Sequence, residues 1–314
     1  MPPLRLGTRG SRLALWQAHT VADLLAARQV PVEIVTIRTS GDRLQDRPLS
    51  EPGTKSLFVK ELEEAMLAGA IDFAVHSAKD MPAELPPGLD IAATLPREDP
   101  RDAVVLPAGH PGDLELPRLV AMLGAYPAIA TSSIRRSAQL ALLVPGARFV
   151  PIRGNVDTRI RKLDEGGYDA IVLAAAGLRR LGVADRISAL LPIDACVPAP
   201  GQGIIAVEIR ADDHDTRTAM AAVHDADAGT ALAGERALVT ALGGGCHLPL
   251  GGIVLHDAGE IELRAVVLSP HGGGVLRARA RGPIGDPEGL GRRVASELEA
   301  AGALTILNEA RGDS

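Results

Sequence analysis

A chain of 314 residues, 46% hydrophobic and 23% charged, is long enough for two or three folded domains with real apolar cores. Its net charge is −6, and its aromatic residues are only Trp16, Phe58, Phe73, Tyr126, Phe149 and Tyr168, which disfavours a nucleic-acid reader built on aromatic stacking. Two cysteines cannot form a disulfide framework, so the chain reads as cytosolic and reduced. The short apolar run at Leu13–Trp16 is no signal peptide, and "AIVLAAAGL" (170–178) is too short to span a bilayer.

In chain order, "LRLGTRGSRLALWQAHTVADLLAAR" predicts a strand, a Gly-rich turn and a helix capped by Ser11, with Leu13, Trp16 and Leu24 on one stripe. Residues 31–40 alternate like a strand, 57–69 form an amphipathic helix, and 70–77 a buried strand. "PREDPRDAV" (96–104), with two prolines and five charges, reads as a linker. The pattern then restarts as strand–helix pairs: 128–130 before "SSIRRSAQLALL", 147–152 before "NVDTRIRKLDEG", and 168–176 before "GLRRLG". This alternation predicts parallel α/β sheets. "VPAPGQGIIAVEIR" (197–210) reads as a crossing back to the first domain. A helix at 230–242, strands at 251–256, 261–268 and 275–281, and a helix over about 286–302 predict a small α+β domain.

Charge is unevenly spread. Residues 131–180 carry nine Lys/Arg against four Asp/Glu, so this stretch is +5 within an otherwise acidic chain. Such a stretch is either a solvated basic face or a site for a polyanion. Placement favours the site. "TSSIRR" sets Ser132 and Ser133 before Arg135 and Arg136, "RGNVDTR" carries Arg153 and Arg159, and "GLRR" carries Arg179 and Arg180. All three are strand-to-helix turns. Helix N-termini attract anions, arginine adds bidentate recognition of carboxylates, and these turns gather at the carboxyl edge of a parallel sheet. No Walker pattern is present. Matching loops of the first domain carry Arg9, Ser11, Lys55 and Lys79, and one acid, Asp80, which would either pair with Lys79 at the surface or stabilise a cation formed during reaction. His76 reads as structural. The eight histidines lack ligand spacing, so no metal is expected. Cys196 reads as an ordinary buried cysteine. Cys246, behind three glycines in "LGGGCHLPL", sits on a bare loop where a nucleophile, a covalent attachment point or an idle thiol are all open.

Eight segments occur in the order found in the porphobilinogen deaminase family, which the chain resembles from about residue 5 to beyond residue 300. They are "GTRGSRLALWQ", "GTKSLFVKELE", "VHSAKDMP", "ATSSIRR", "RGNVDTR", "AAAGLRRLG", "PGQG" and "GGGCHLP". The resemblance implies two α/β domains like those of periplasmic binding proteins plus a small α+β C-terminal domain, with boundaries at 1–98 with 204–220, 99–203 and 221–314. It implies condensation of four porphobilinogen molecules, head to tail, into hydroxymethylbilane with release of ammonia. It implies a covalent dipyrromethane cofactor on Cys246 through a thioether, and Asp80 as the carboxylate that holds pyrrole N–H groups and stabilises the cation left when ammonia departs. Arg9, Ser11, Lys55, Lys79, Ser133, Arg135, Arg136, Arg153, Arg159, Arg180 and Gln202 match cofactor- and substrate-binding positions. The same resemblance implies a cytoplasmic monomer with a small-molecule substrate, no nucleic acid and no membrane. One departure stands out: Arg12 occupies a place where many relatives have proline. An anion-binding protein without chemistry and a transferase with a free cysteine nucleophile are the competing classes, and the state of the Cys246 sulfur separates all three.

Overall fold

The computed structural model describes residues 2–37, 59–244, 248–269 and 274–312. Lys55 and Cys246 lie outside the described residues. The first lobe is built from β1 (Leu4–Thr8), α1 (Arg12–Ala26), β2 (Val32–Thr36), α2 (Lys60–Leu67), β3 (Phe73–Ser77) and β4 (Leu89–Thr94). The chain then makes a second lobe from β5 (Asp102–Val105), α3 (Leu116–Leu123), β6 (Ala128–Ala130), α4 (Ile134–Leu143), β7 (Arg148–Val150), α5 (Val156–Asp164), β8 (Ala170–Ala174), α6 (Ala175–Arg180) and β9 (Ala189–Leu190). It returns with β10 (Ile205–Arg210) and α7 (His214–Ala221), and ends with α8 (Ala226–Ala241), β11 (Leu250–Asp257), β12 (Glu260–Leu268), β13 (Val275–Pro283), α9 (Pro287–Ala300) and α10 (Ala303–Arg311).

The two α/β sheets share one plan. The first runs β2-β1-β3-β10-β4 and the second β7-β6-β8-β5-β9. In each, three parallel strands lie beside a strand that runs against them, β10 in the first and β5 in the second. Each of these antiparallel strands follows directly on a crossing between the lobes, so both crossings run along the cleft. The carboxyl ends of β1, β3, β6, β7 and β8 open toward the loops that carry the predicted site residues, as parallel sheets require. The third sheet is an antiparallel β11-β12-β13 meander. Leu263 and Val267 on its inner face pack against Leu238 of α8 and Leu290, Val294 and Leu298 of α9. Along β13, Leu276, Ala278 and Ala280 join that core while Arg277, Arg279 and Arg281 face outward, the alternation expected of a half-buried strand.

Three details differ from the sequence reading. The segment 96–104 is not all linker: Asp102–Val105 is a fully buried strand in the second sheet. Its charges hid it, and its acid is the buried anchor described below. The buried stripe of α1 is Ala18, Val21 and Leu25; of the expected stripe Leu24 packs against that core, while Leu13 and Trp16 turn to the second lobe. Trp16 is 38% exposed, and its ring meets Arg180 of the other lobe. Helix α8 begins at Ala226, four residues before the expected start, because Asp225 accepts a capping hydrogen bond from the Ala228 amide.

The backbone at the second crossing is pressed against its neighbours. Gly201 (φ +75°) lies so close that a Cβ there would sit 2.9 Å from the Ala78 carbonyl carbon and the Lys79 nitrogen. A Cβ on Gly203 (φ +89°) would collide with the Glu98 carbonyl oxygen. Only glycine combines the left-handed backbone with that approach. Nearby, the fully buried Glu235 of α8 ties both crossings to the third sheet. It accepts from Arg97 of the first crossing, from the Gly201 amide of the second, and from the Val254 amide of β11.

One buried polar cluster lies away from the cleft. His76 Nε2 on β3 is 3.0 Å from Glu208 Oε2 on β10, and Glu63 of α2 packs alongside. Among the described residues, one Glu63 oxygen and both Glu208 oxygens are buried with no hydrogen-bond partner. Burial, and then the Glu208 charge, push Glu63 up to about 7, with His76 pulling the other way.

Candidate active site

The lobes enclose a cavity of about 480 Å³ lined by residues of both and by α8 and the start of β11. Each lining side chain arrives on an element with a local reason to end there. Ser11 and Ser133 are the N-caps of α1 and α4, accepting from the Ala14 and Arg136 amides. Lys79 and Asp80 sit in a single 3-10 turn directly after β3. That turn is held by the Ala78 amide donating to Ile204 O and by the close backbone at Gly201. Arg159 lies one turn into α5, and its Nε donates to Gly154 O at 2.7 Å. Arg180 ends α6, donates to Gly203 O at 2.6 Å, and stacks on Trp16 at 5.8 Å from the ring centroid.

The cavity brings together Arg9, Ser11, Lys79, Asp80, Ser133, Arg135, Arg136, Arg159, Arg180 and Gln202. Arg153 is not among the lining residues, although its neighbour Gly154 is, and its carbonyl accepts from Lys162 Nζ. Asp80 is not alone as an acid: Asp157 lines the cavity too, but it pairs with Arg12 at 3.0 Å. Gly244 and Leu248 flank the position of Cys246. Leu248 lines the cavity, and Gly244 lies against Ala83, another lining residue.

The arginines divide into two sets. Arg135 and Arg136 are buried and committed to Asp102, which is completely buried. Arg135 Nη1 and Arg136 Nη2 each lie 2.7 Å from an Asp102 oxygen, and Gln202 Nε2 donates to the same carboxylate at 2.9 Å. Arg135 also donates to Val197 O and Arg136 to Val172 O. Burial opposes the Asp102 charge, but the two guanidiniums outweigh it and hold the carboxyl far below the usual range. Cys196 Sγ lies 3.4 Å from Asp102; burial, then that negative charge, push its thiol up to about 12. It is inert as a nucleophile. Gln202 is likewise occupied: its amide nitrogen also donates to Pro100 O, and its oxygen accepts from Lys79 Nζ.

Arg159 and Arg180 form the other set. Neither has an acidic partner within ion-pair distance among the described residues. Burial lowers Arg159 to about 10, with the Arg136 charge adding to the effect and Asp80 opposing it. Burial also lowers Arg180 to about 10, against the pull of Glu98. Two cations held at a cavity without counter-ions form a ready anion site. Among the described residues no group of three His, Cys, Asp or Glu side chains is arranged to hold a metal ion, and no helix is long and apolar enough to cross a membrane.

Comparison with known proteins decides the family. The model described as "Porphobilinogen deaminase, dipyromethane cofactor binding domain" matches residues 4–218, and "Porphobilinogen deaminase, C-terminal domain" matches residues 230–300. This chain belongs to the porphobilinogen deaminase family. A porphobilinogen deaminase of Acidithiobacillus ferrooxidans is 48% identical over 98% of each chain, and one of Roseiflexus sp. is 46% identical over 97% of this chain and 98% of its own. Among solved structures, an ancestral cationic amino acid solute binding protein matches with a TM-score of 0.40 at 14% identity, covering 70% of this chain and 88% of that one. The family is that of a tetrapyrrole-forming transferase, and residues 4–218 are its dipyrromethane-binding portion.

Sequence reasoning missed three residues that organise this site: Asp102, Glu235 and Asp157. The signal for Asp102 was available. It is the acid that directly heads the apolar run "AVVL" and precedes an arginine pair that needs an anion.

Proposed function

We propose that the cavity is the site where porphobilinogen units are joined, with Asp80 as the catalytic carboxylate and Cys246 as the cofactor's thioether anchor. The family reaction condenses four porphobilinogen molecules into hydroxymethylbilane and releases ammonia. The carrying observation is Asp80, the carboxylate not paired with Arg12, in a cavity whose Arg159 and Arg180 have no acidic partner within ion-pair distance among the described residues. Each pyrrole unit brings an acetate and a propionate, which supply the missing anions, so the residues present fit a dipyrromethane and a chain growing from it. When bound, that group would supply the pyrrole carbon to which the first unit is joined, and the end of the growing chain would supply it for each later one.

The chain's own residues then divide the work. Arg159 and Arg180 bind ligand carboxylates, with Arg9 and Lys79 at the opposite wall. Ser11 and Ser133 cap helices and turn their hydroxyl hydrogens and helix ends toward the same anions. Asp80 accepts hydrogen bonds from pyrrole N–H groups and stabilises the positive charge left on porphobilinogen as ammonia departs. Arg135, Arg136 and Gln202 act behind this wall by holding the second lobe's turns in place. Arg153 serves at the cavity's margin, and Lys55 is kept as a cofactor- and substrate-binding residue on the family resemblance alone. Domain limits of 1–98 with 204–220, 99–203 and 221–314, a monomeric state and a cytoplasmic location complete the reading.

The deciding experiment is the intact mass of the denatured chain with a peptide map across Cys246. A dipyrrole-sized excess on that peptide supports the anchor, and its loss in Cys246→Ser is the expected companion result. An unmodified cysteine that stays unmodified after incubation with porphobilinogen would overturn the assignment.

A further inference from the structure

Arg12 occupies the first position of α1, directly after the Ser11 cap, and its side chain leaves its own lobe. Nη1 lies 3.0 Å from Asp157 Oδ1 on α5, and Nη2 donates to Leu181 O, just past α6, at 3.1 Å. Beside it, Leu13 Cδ2 comes within 3.8 Å of where a Cβ on Gly177 would stand. One turn further on, Trp16 meets the Arg180 guanidinium. The face of α1 formed by residues 12, 13 and 16 therefore meets the second lobe along one side of the cavity, and Arg180 links it on to Gly203 of the second crossing.

We propose that Arg12 is a cross-cleft positioning residue of this chain. It holds α1 against α5 and α6, and so fixes how far the Asp80 turn of the first lobe stands from Arg159 and Arg180 of the second. The proposal rests on the reading of this cavity as the site of pyrrole joining. The guanidinium fork suits the task, because it satisfies a carboxylate and a carbonyl at once, where an ammonium would hold one at a time. The Arg12 and Asp157 side chains are 62% and 43% exposed, so the contact is screened and small. A contact of that size biases a closed arrangement without locking it, and it reaches the ligand only through the fraction of molecules that are closed.

The helix start gives a clean test. The amide at this position is one of the unpaired donors of a helix N-terminus, and proline is favoured there. Ser11 has φ −71° and ψ 147°, the extended conformation a residue before proline adopts. Arg12→Pro therefore removes the guanidinium and keeps the helix, and Arg12→Gln serves as a second variant should the first not fold. With the holoenzyme, the KM for porphobilinogen is expected to rise about two- to five-fold, the size carried by an exposed ion pair. Turnover and melting temperature should stay near wild type. Arg12→Lys should fall between, Asp157→Asn should reproduce the change, and the ratio of variant to wild-type KM should shrink toward one in high salt. Small-angle scattering of the resting protein should show a larger radius of gyration in Arg12→Pro. Unchanged KM and scattering would overturn the proposal. A KM change that Asp157→Asn does not share would also overturn it, by making Arg12 a direct ligand contact. A wild type that never turns over porphobilinogen would instead sink the proposed function, and the scattering comparison would still decide the role of Arg12.

Discussion

Arg135 and Arg136 on one side, Arg159 and Arg180 on the other, follow strands of the same sheet and border the same cavity, yet they live under opposite electrostatics. The first pair shares the single carboxylate of Asp102 and donates to backbone carbonyls, so half of its charge is balanced in place and both forks are held. The second pair is half-buried with no acid within ion-pair distance among the described residues, and burial lowers both guanidiniums. A buried ion group of the first kind fixes geometry, and removing one partner is far costlier than the net worth of the pair. Cations of the second kind are stabilised by whatever anion arrives. The difference teaches that an arginine-rich motif splits into scaffold and ligand-binding parts according to where its counter-charge resides.

The comparison breaks most visibly at Asp102. Asp102→Asn leaves two buried guanidiniums uncompensated and should cost about 3–5 kcal/mol, a fall in melting temperature on the order of 10 °C by calorimetry. A change under about 2 °C would mean the hub is not structural. Asp80→Asn is the contrasting case. It should lower turnover by about 10²–10³-fold while the melting curve stays put, and unchanged turnover would reduce Asp80 to a turn residue. Arg159→Gln sharpens the contrast within the arginines. It should weaken porphobilinogen binding by about ten- to a hundred-fold with no loss of stability, since the buried cation it removes has no acid to strand. A melting temperature that fell as far as in Asp102→Asn would erase the distinction between the two sets.

The smallest effect tests a third arrangement, carboxylates buried with only an imidazole nearby. Glu63 is raised to about 7 in the folded chain from an ordinary value near 4.5. Its contribution to stability is fully present below about 4.5 and is lost as pH rises through 7, because the unfolded chain releases that proton earlier. Wild-type protein should therefore lose on the order of 1–2 kcal/mol between pH 5 and 8 that Glu63→Gln retains. Parallel pH profiles for the two proteins would refute the account.

Much of this was legible in the sequence for physical reasons. Strand-to-helix turns announced themselves through caps such as Ser11 and Ser133, and basic residues after the parallel strands had to meet at one sheet edge. The antiparallel strand β5 stayed hidden because Asp102 and its charged neighbours look like linker until the arginines that neutralise it are in place. Periodicity put Trp16 on one stripe with Leu13 and Leu24, but periodicity cannot say which of two lobes a face will meet. Arg135 and Arg136 could not be told apart from Arg159 by type, since the distinguishing partner lies more than thirty residues away along the chain.

The glycines of the second crossing set a tolerance. At Gly201 and Gly203 one main chain lies directly on another, with the Lys79–Asp80 turn on one side and Glu98 on the other. A spacing set by side chains can absorb a substitution by repacking, but here backbone thickness itself is the spacer. Gly201 acts as a gauge for the active-site turn, because an added carbon there meets the Ala78–Lys79 main chain with nothing softer between, and Gly203 gauges the first crossing at Glu98 in the same way.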